Sequence, residues 1–418
     1  MIRSTTCPIA RACLPALLAL TASIAQAQPA EPPAEPAAPP ASVVPNPEPA
    51  PTPPPDAPPP IVAPVVTESV ALSPKEAEAA AVAEPPPPKE LDARKSPMSM
   101  NAWLRLGGTG QNFKKPKHMD RFSGDGELDL LLNGQIINMV GITANLVANF
   151  GNVTPTGTIT GDVNVMDLIA KFDFDDAFHF WAGRMLVPSD RTNFSGPWFI
   201  APWHYPTFFK PFAPPLGPRQ GPNGRNDGAT VWGQVAGGLF KYYAGIYDLW
   251  SPESRPLLSG RISLSLLNPE PGYYGSSTFY GKDILGLGLG AQFQKSPIPG
   301  ATDYGLINAD ILFEKVLGGS GVIDIEGAIY KYFGDVNEYT YFALISYLTP
   351  MKIGPGALQP LIRLQQNKPV DGDNWTLVDA QLGYVVDTYA CRFAIGYQYQ
   401  NVDGVKGNQL FGGIQLQK

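Results

Sequence analysis

Residues 98–418 are written in short stretches that alternate apolar and polar side chains, and no long amphipathic helix separates them. Period-two alternation places one face of a strand against something apolar and the other against something wet. A soluble sandwich could satisfy a few such strands, but here the pattern repeats about sixteen times with nothing to cover the apolar faces. Closure into a barrel within a bilayer removes every unpaired edge and gives the apolar faces a partner. The expectation is an all-β, transmembrane antiparallel barrel of about sixteen strands, with eighteen as the alternative.

The residues before this repeat differ in kind. Arg3 and Arg11, the apolar run Leu14 to Ile24 and the small-residue site Ala25-Gln26-Ala27 have the layout of a cleaved secretory signal over 1–27. That run is shorter than the roughly 20 residues a spanning helix needs. Between 28 and 97 stand 23 of the 46 prolines, among many Ala and Glu. Such a segment cannot bury a core, so a disordered periplasmic tether is expected, with the cell-wall peptidoglycan as its candidate contact. Cys7 and Cys13 fall inside the signal, leaving Cys391 as a packing residue without an internal disulfide partner.

The strands read as 99–109, 125–133, 136–150, 162–174, 178–187, 228–236, 239–248, 258–267, 284–294, 303–315, 321–333, 338–349, 358–366, 374–386, 389–400 and 408–417. Asn133-Gly134, Asp175-Asp176, Gly237-Gly238, Gly318-Gly319 and Asp387-Thr388 are expected as tight turns after even-numbered strands. Longer connections at 110–124, 151–161, 188–227 and 249–257 follow odd-numbered strands, as the outer rim of such barrels requires. The connection 268–283 is long on the short-turn side. It reads either as an enlarged turn or as a hidden hairpin near Tyr273 to Tyr280.

Charge assigns the faces. Leu128, Leu130 and Leu132 alternate with Glu127, Asp129 and Asn133, and Ile262, Leu264 and Leu266 with Arg261, Ser263 and Ser265. Lys or Arg facing lipid at the midplane costs about 2–4 kcal/mol, so the charged faces should line the interior. The candidate lining acids are Glu127, Asp129, Asp167, Asp173, Asp310, Glu314, Asp324, Glu326 and Asp379. The bases are Arg105, Lys171, Arg184, Arg261, Arg363 and Arg392, a mixed wall without a continuous basic ladder.

Residues 188–227 form the exceptional loop, carrying Trp198, Phe199, Trp203, Tyr205, Phe208, Phe209 and Phe212. A loop so long and so aromatic is expected to pack inside the barrel and narrow it. Arg184, Asp190, Arg191, Lys210, Arg219, Arg225 and Asp227 are the candidate constriction residues. The loop's bases outnumber its acids by two, which points to anions.

Other chemistries lack a footing in the sequence. The net charge of −7 does not suit a nucleic-acid partner. Three histidines (His118, His179, His204) stand without a G-x-S-x-G, an H-E-x-x-H or a paired-Cys spacing, so neither catalysis nor a metal or cofactor is expected. A structural or adhesive barrel tied to the wall is the competing reading.

Taken with Trp181-Ala182-Gly183-Arg184, Pro188-Ser189-Asp190-Arg191, Asn226-Asp227-Gly228 and the Tyr-rich stretch after Phe240, the chain resembles the sixteen-stranded porins, phosphate-selective porin O/P type. The resemblance covers most of 98–418. It implies a homotrimer in the outer membrane of a Gram-negative bacterium and an inward-folded third loop. It further implies passive diffusion of small solutes or ions, possible phosphate among them. The chain ends Leu416-Gln417-Lys418, without the terminal aromatic common to such barrels.

Overall fold

A computed structural model describes residues 98–113, 119–153, 159–206, 224–249, 255–270, 272–334, 338–369, 374–402 and 404–418. The expected signal 1–27 and tether 28–97, together with Lys210 and Arg219, lie outside the described residues. Sixteen strands form the wall: β1 Met98–Phe113, β2 Met119–Ile137, β3 Val140–Val153, β4 Ile159–Asp175, β5 Phe178–Leu186, β6 Arg225–Val235, β7 Phe240–Tyr247 and β8 Leu257–Ser265 make the first half. The second half is β9 Ile284–Gln294, β10 Tyr304–Val316, β11 Val322–Phe333, β12 Glu338–Leu348, β13 Gly356–Pro369, β14 Trp375–Asp387, β15 Cys391–Val402 and β16 Val405–Gln417. A two-residue strand, Lys352–Ile353, folds back on β13 within a turn.

Every strand pairs antiparallel with its sequence neighbours, and β1 pairs with β16 from Trp103↔Gln417 to Phe113↔Gly407. The sheet therefore closes, and no edge is left for lipid to meet. Among the described residues no helix is long and apolar enough to cross a membrane.

Alternation sets the two faces. On β9 the leucines Leu287 and Leu289 are exposed while Gly286, Gly288 and Gly290 are buried. Elsewhere Ile262, Ile311, Ile325, Ile362 and Ile395 are exposed on the outside, while Arg261, Asp310, Asp324, Glu326, Arg363 and Arg392 are buried within. An apolar exterior over a charged interior is the inverse of a soluble barrel, and a bilayer is the solvent that stabilises it.

Two expectations about connections are corrected. Asn133-Gly134 is not a turn: it lies within β2, paired with Thr143 and Ile142, and the turn falls at 138–139. Cross-strand pairing of Gln135 and Ile137 with β3 through a bulge outweighs the local turn preference. Residues 110–113 and 119–124 are strand as well, with Gly110 paired to both Phe122 and Leu410. Spanning takes only about 9–11 residues, so β2 at 19 residues extends as ribbon beyond the bilayer. Backbone pairing serves that ribbon whatever its side chains, which is why its polar composition reads as loop.

A barrel of this size is too wide for wall side chains to fill. The filler comes from connections. Phe194 of the β5–β6 connection and Tyr273 of the β8–β9 connection pack with Trp181, Trp232 and Tyr243 of β5, β6 and β7. The Trp181 and Tyr273 rings stack at 4.6 Å and those of Phe194 and Tyr243 lie 4.9 Å apart. The core thus sits inside the barrel, along the wall from Ile169 of β4 to Leu361 of β13.

Candidate functional site

The described part of the β5–β6 connection begins with a short helix, α1 Arg191–Ser195, capped by Asp190, whose carboxylate accepts from the Thr192 and Asn193 amides. A side-chain oxygen at this position satisfies amides that the first turn leaves unpaired. Ser259 of β8 donates to the Pro188 carbonyl, and Arg261 donates to that of Ser189 at 3.0 Å. Tyr330 of β11 donates to Asp190 at 2.8 Å.

From α1 the chain runs to the far wall. Trp198 donates to Glu127 of β2 at 3.0 Å, and Gln415 of β16 donates to the Trp198 carbonyl at 3.0 Å. Arg392 of β15 donates to the Ile200 carbonyl at 2.7 Å and Gln381 of β14 to that of Ala201 at 3.2 Å. Arg105 of β1 reaches the Trp203 carbonyl at 2.6 Å while lying 4.4 Å over the Trp203 ring, and Arg363 of β13 reaches the His204 carbonyl at 2.8 Å. Residues 188–206 are thereby fastened to strands from across the barrel interior. Four wall arginines make these bonds, two of them, Arg261 and Arg363, while also paired with Asp310 and Asp379, so their charges are directed at the segment and the wall rather than at open water.

The second inward connection, 266–283, is the element sequence reading leaves undecided. Its described residues form an enlarged turn with no hairpin of their own. The Gly275 and Ser277 amides donate to the Phe194 and Phe199 carbonyls at 3.2 and 2.9 Å. Glu314 of β10 receives the Gly281 and Lys282 amides, both at 2.7 Å, and the Thr278 hydroxyl at 3.0 Å. Its length, its aromatics and the inward glycines of β9 are the signals that could have found it. Added Cβ atoms at Gly286 and Gly288 would fall 2.4 and 2.2 Å from the Arg191 and Arg261 guanidiniums.

Arg191 and Glu270 join the two connections. Their bonds run Nη1 to Oε2 at 2.5 Å and Nη2 to Oε1 at 2.6 Å, a bidentate fork with both side chains under 10 % exposed. Burial opposes the Glu270 charge, yet the Arg191 guanidinium, aided by Lys241, holds that carboxyl below the usual glutamate range. Burial and the neighbouring Asp310 charge push Asp190 up to about 6, against the bonds from Tyr330 and Asn193.

The sequence candidates thus separate into groups. Asp190, Arg191, Arg261, Asp310 and Glu326 gather where the two connections meet β8, β10 and β11, with Arg261 chelating Asp310. Asp379 takes Arg363 at 2.7 Å and Asp167 takes Arg225 at 3.2 Å. Asp129 and Asp167 share the Asn145 amide. Asp324 receives the Ser346 hydroxyl at 2.9 Å. Lys171 lies 4.2 Å over the Trp181 ring, and Asp173 receives the Trp181 indole and faces His179. Arg184 and Asp227, expected at the constriction, instead pair with each other at 3.1 Å. Strand parity sets them opposite to inward Trp181 and Thr230, beside exposed Leu168, so they belong to the outer face. Among the described residues no group of three or more His, Cys, Asp or Glu is placed to hold a metal ion.

A cavity of about 330 Å³ lies between both inward connections and the wall of β1 to β6. Closed sheet, apolar exterior, charged interior and inward connections together define a sixteen-stranded antiparallel β-barrel of the membrane-spanning kind. Among solved structures, OprB of Pseudomonas putida aligns at 9 % identity and a TM-score of 0.55, over 77 % of this chain and 94 % of its own. The anion-selective porin of Comamonas acidovorans aligns at 13 % identity and a TM-score of 0.48, over 78 % of this chain and 100 % of its own. OmpF of Salmonella typhi aligns at 10 % identity and a TM-score of 0.49, over 76 % and 97 %. The first of these establishes a shared fold. No protein-family model matches the sequence, and no curated protein matches it.

Proposed function

We propose that this protein is an outer-membrane porin, a water-filled channel for passive diffusion of small hydrophilic solutes or ions, narrowed by the segment after β5. The observation that carries this reading is the fastening of residues 188–206 to strands on opposite sides of the interior. An adhesive or purely structural barrel gains nothing from a segment ordered in its lumen, whereas a channel gains a fixed aperture. The pairings also bear on selectivity. Arg191 pairs with Glu270 and Arg225 with Asp167, and the remaining two bases of the loop sequence, Lys210 and Arg219, are the proposed source of a preference for anions such as phosphate. Cleavage near Ala27, a proline-rich tether over 28–97 that contacts peptidoglycan, and a homotrimer complete the proposal. Planar-bilayer recording of the purified protein tests it: stepwise conductance is expected, with a reversal potential in a salt gradient on the anion side. A folded, heat-modifiable barrel without conductance would sink the porin reading.

A further inference from the structure

The connection 266–283 leaves β8 on the short-turn side and enters the lumen as a closed loop. Its neck is tied twice: the Asn268 amide donates to the Asp283 carbonyl at 3.1 Å, and Lys282 Nζ donates to the Pro269 carbonyl at 2.7 Å. A compact loop with joined ends holds together as a unit, so its place in the lumen depends on what grips it beyond the neck.

It is gripped at two corners. At one, Arg191 pairs with Glu270 and ties the loop to the first connection. At the other, residues 278–282 turn back through Tyr280 at φ 55° and Gly281 at φ 122°. Left-handed residues in succession gather backbone amides around one point, a concavity for an anionic group. Glu314 of β10 fills it. Its Oε1 accepts the Gly281 and Lys282 amides, both at 2.7 Å, and its Oε2 accepts the Thr278 hydroxyl at 3.0 Å and the Phe279 amide. The side chain is fully buried. The Tyr389 hydroxyl adds a single bond, from the Thr278 amide at 3.2 Å.

What this corner carries gives the grip its consequence. Phe279 is half-buried and lines the 330 Å³ cavity opposite Trp103 and Leu131 of β1 and β2. Lys282 Nζ lies 5.7 Å from the centre of the Phe279 ring. The carboxylate behind the corner therefore sets how far the ring stands into the free space. A carboxylate suits that task because both oxygens accept, whereas an amide in its place must turn an NH2 group toward one of the two donor pairs.

We propose that Glu314 is a positioning residue of the channel: it pins the 278–282 corner and, through Phe279, fixes the width of the path on the short-turn side. The proposal rests on the channel reading, and its test separates the two.

Single-channel recording of the full-length protein in planar bilayers in KCl compares wild type, Glu314→Gln, Phe279→Ala and the double variant. Glu314→Gln loses at least one strong bond, so the occupancy of a wider conductance level should rise about tenfold. Phe279→Ala should conduct at a wider level throughout. Adding Glu314→Gln to it should change nothing more, because the ring through which Glu314 acts is gone; a merely structural role would not show this dependence. If Glu314→Gln does not assemble into a heat-modifiable barrel, Thr278→Val, which removes one donor from the loop side, takes its place with the same expected direction. Wild-type levels and occupancies in the variant that assembles overturn the assignment while leaving the channel intact. So does a change that persists undiminished in the Phe279→Ala background. A wild-type protein that conducts nothing overturns the channel reading, and the positioning role with it.

Discussion

Arg191→Met should release the two inward connections from each other. It removes five donors from a site where Glu270 and Asp310 stay behind, and the Glu270 side chain is only 8 % exposed. Breaking a buried pair by deleting one partner costs about 3–5 kcal/mol, most of it from the charge left uncompensated. Part of that cost is recovered if Glu270 swings toward water, so about 3 kcal/mol is expected, a roughly hundredfold increase in local opening. Amide hydrogen exchange of 188–206 and 266–283 reads this directly, because the wall strands report global unfolding separately. The double variant Arg191→Met/Glu270→Gln should cost about 2 kcal/mol less than the sum of the singles, since it leaves no orphaned carboxylate. Because the Glu270 pKa is lowered on folding, the clamp's contribution is present above the ordinary glutamate value of 4.5 and is lost as the pH falls below it. Protection within threefold of wild type in Arg191→Met, or strict additivity in the cycle, would refute the clamp.

Asp190 titrates in the opposite sense. Its carboxyl is raised from 3.8 to about 6, so the folded segment holds its proton more tightly; that contribution is full below 3.8 and is lost as the pH rises through about 6. Protection of the 188–206 amides, with the intrinsic pH dependence of exchange divided out, should therefore fall between pH 5 and pH 7, while that of Asp190→Asn stays flat across the window. Gly288→Val places carbon where the Arg261–Asp310 pair sits, at 2.2 and 2.5 Å, and should destabilise the first connection by about 1–3 kcal/mol; unchanged conductance noise and unchanged exchange would show that the inward face of β9 has room to spare. Neutralising Lys210 and Arg219 to Gln should move the reversal potential toward cations, and no movement would remove the loop bases from selectivity.

Strand existence was legible because a half-lipid, half-water environment imposes period two on every strand. Each of the sixteen stretches named from alternation falls mainly on one strand of the wall, 136–150 also taking in the last two residues of β2, and 284–294 coincides with β9. Ends were less legible, since backbone pairing carries β1 and β2 through Gly, Asn and Asp that elsewhere mark loops. Asn133-Gly134 shows the same effect, where pairing with Thr143 and Ile142 overrode a strong turn signal. Within the site, the aromatic character of 198–205 marked the first connection, but its partners lie far away in sequence: Arg392 is 192 residues from Ile200, and Gln415 is 217 from Trp198. The Leu-Gly-Leu-Gly run of β9 carried a signal of its own, leucines outward and glycines inward where the segment passes.

Sequence alone determined which face of most strands meets lipid, Arg184 and Asp227 of β5 and β6 excepted, because a buried charge and an exposed leucine are local choices repeated along the chain. It also determined that the segment after β5 is too aromatic for open water. Only the closed barrel decided how the charges are used. Closure brings β1, β13, β15 and β8 around one interior, so Arg105, Arg363, Arg392 and Arg261 converge on carbonyls of a segment none of them adjoins. The same closure turns Arg184 and Asp227 outward and joins Arg191 to Glu270 across 79 residues. Pairing partners are fixed by strand register and barrel curvature, which sum over the whole ring and are written in no single stretch of it.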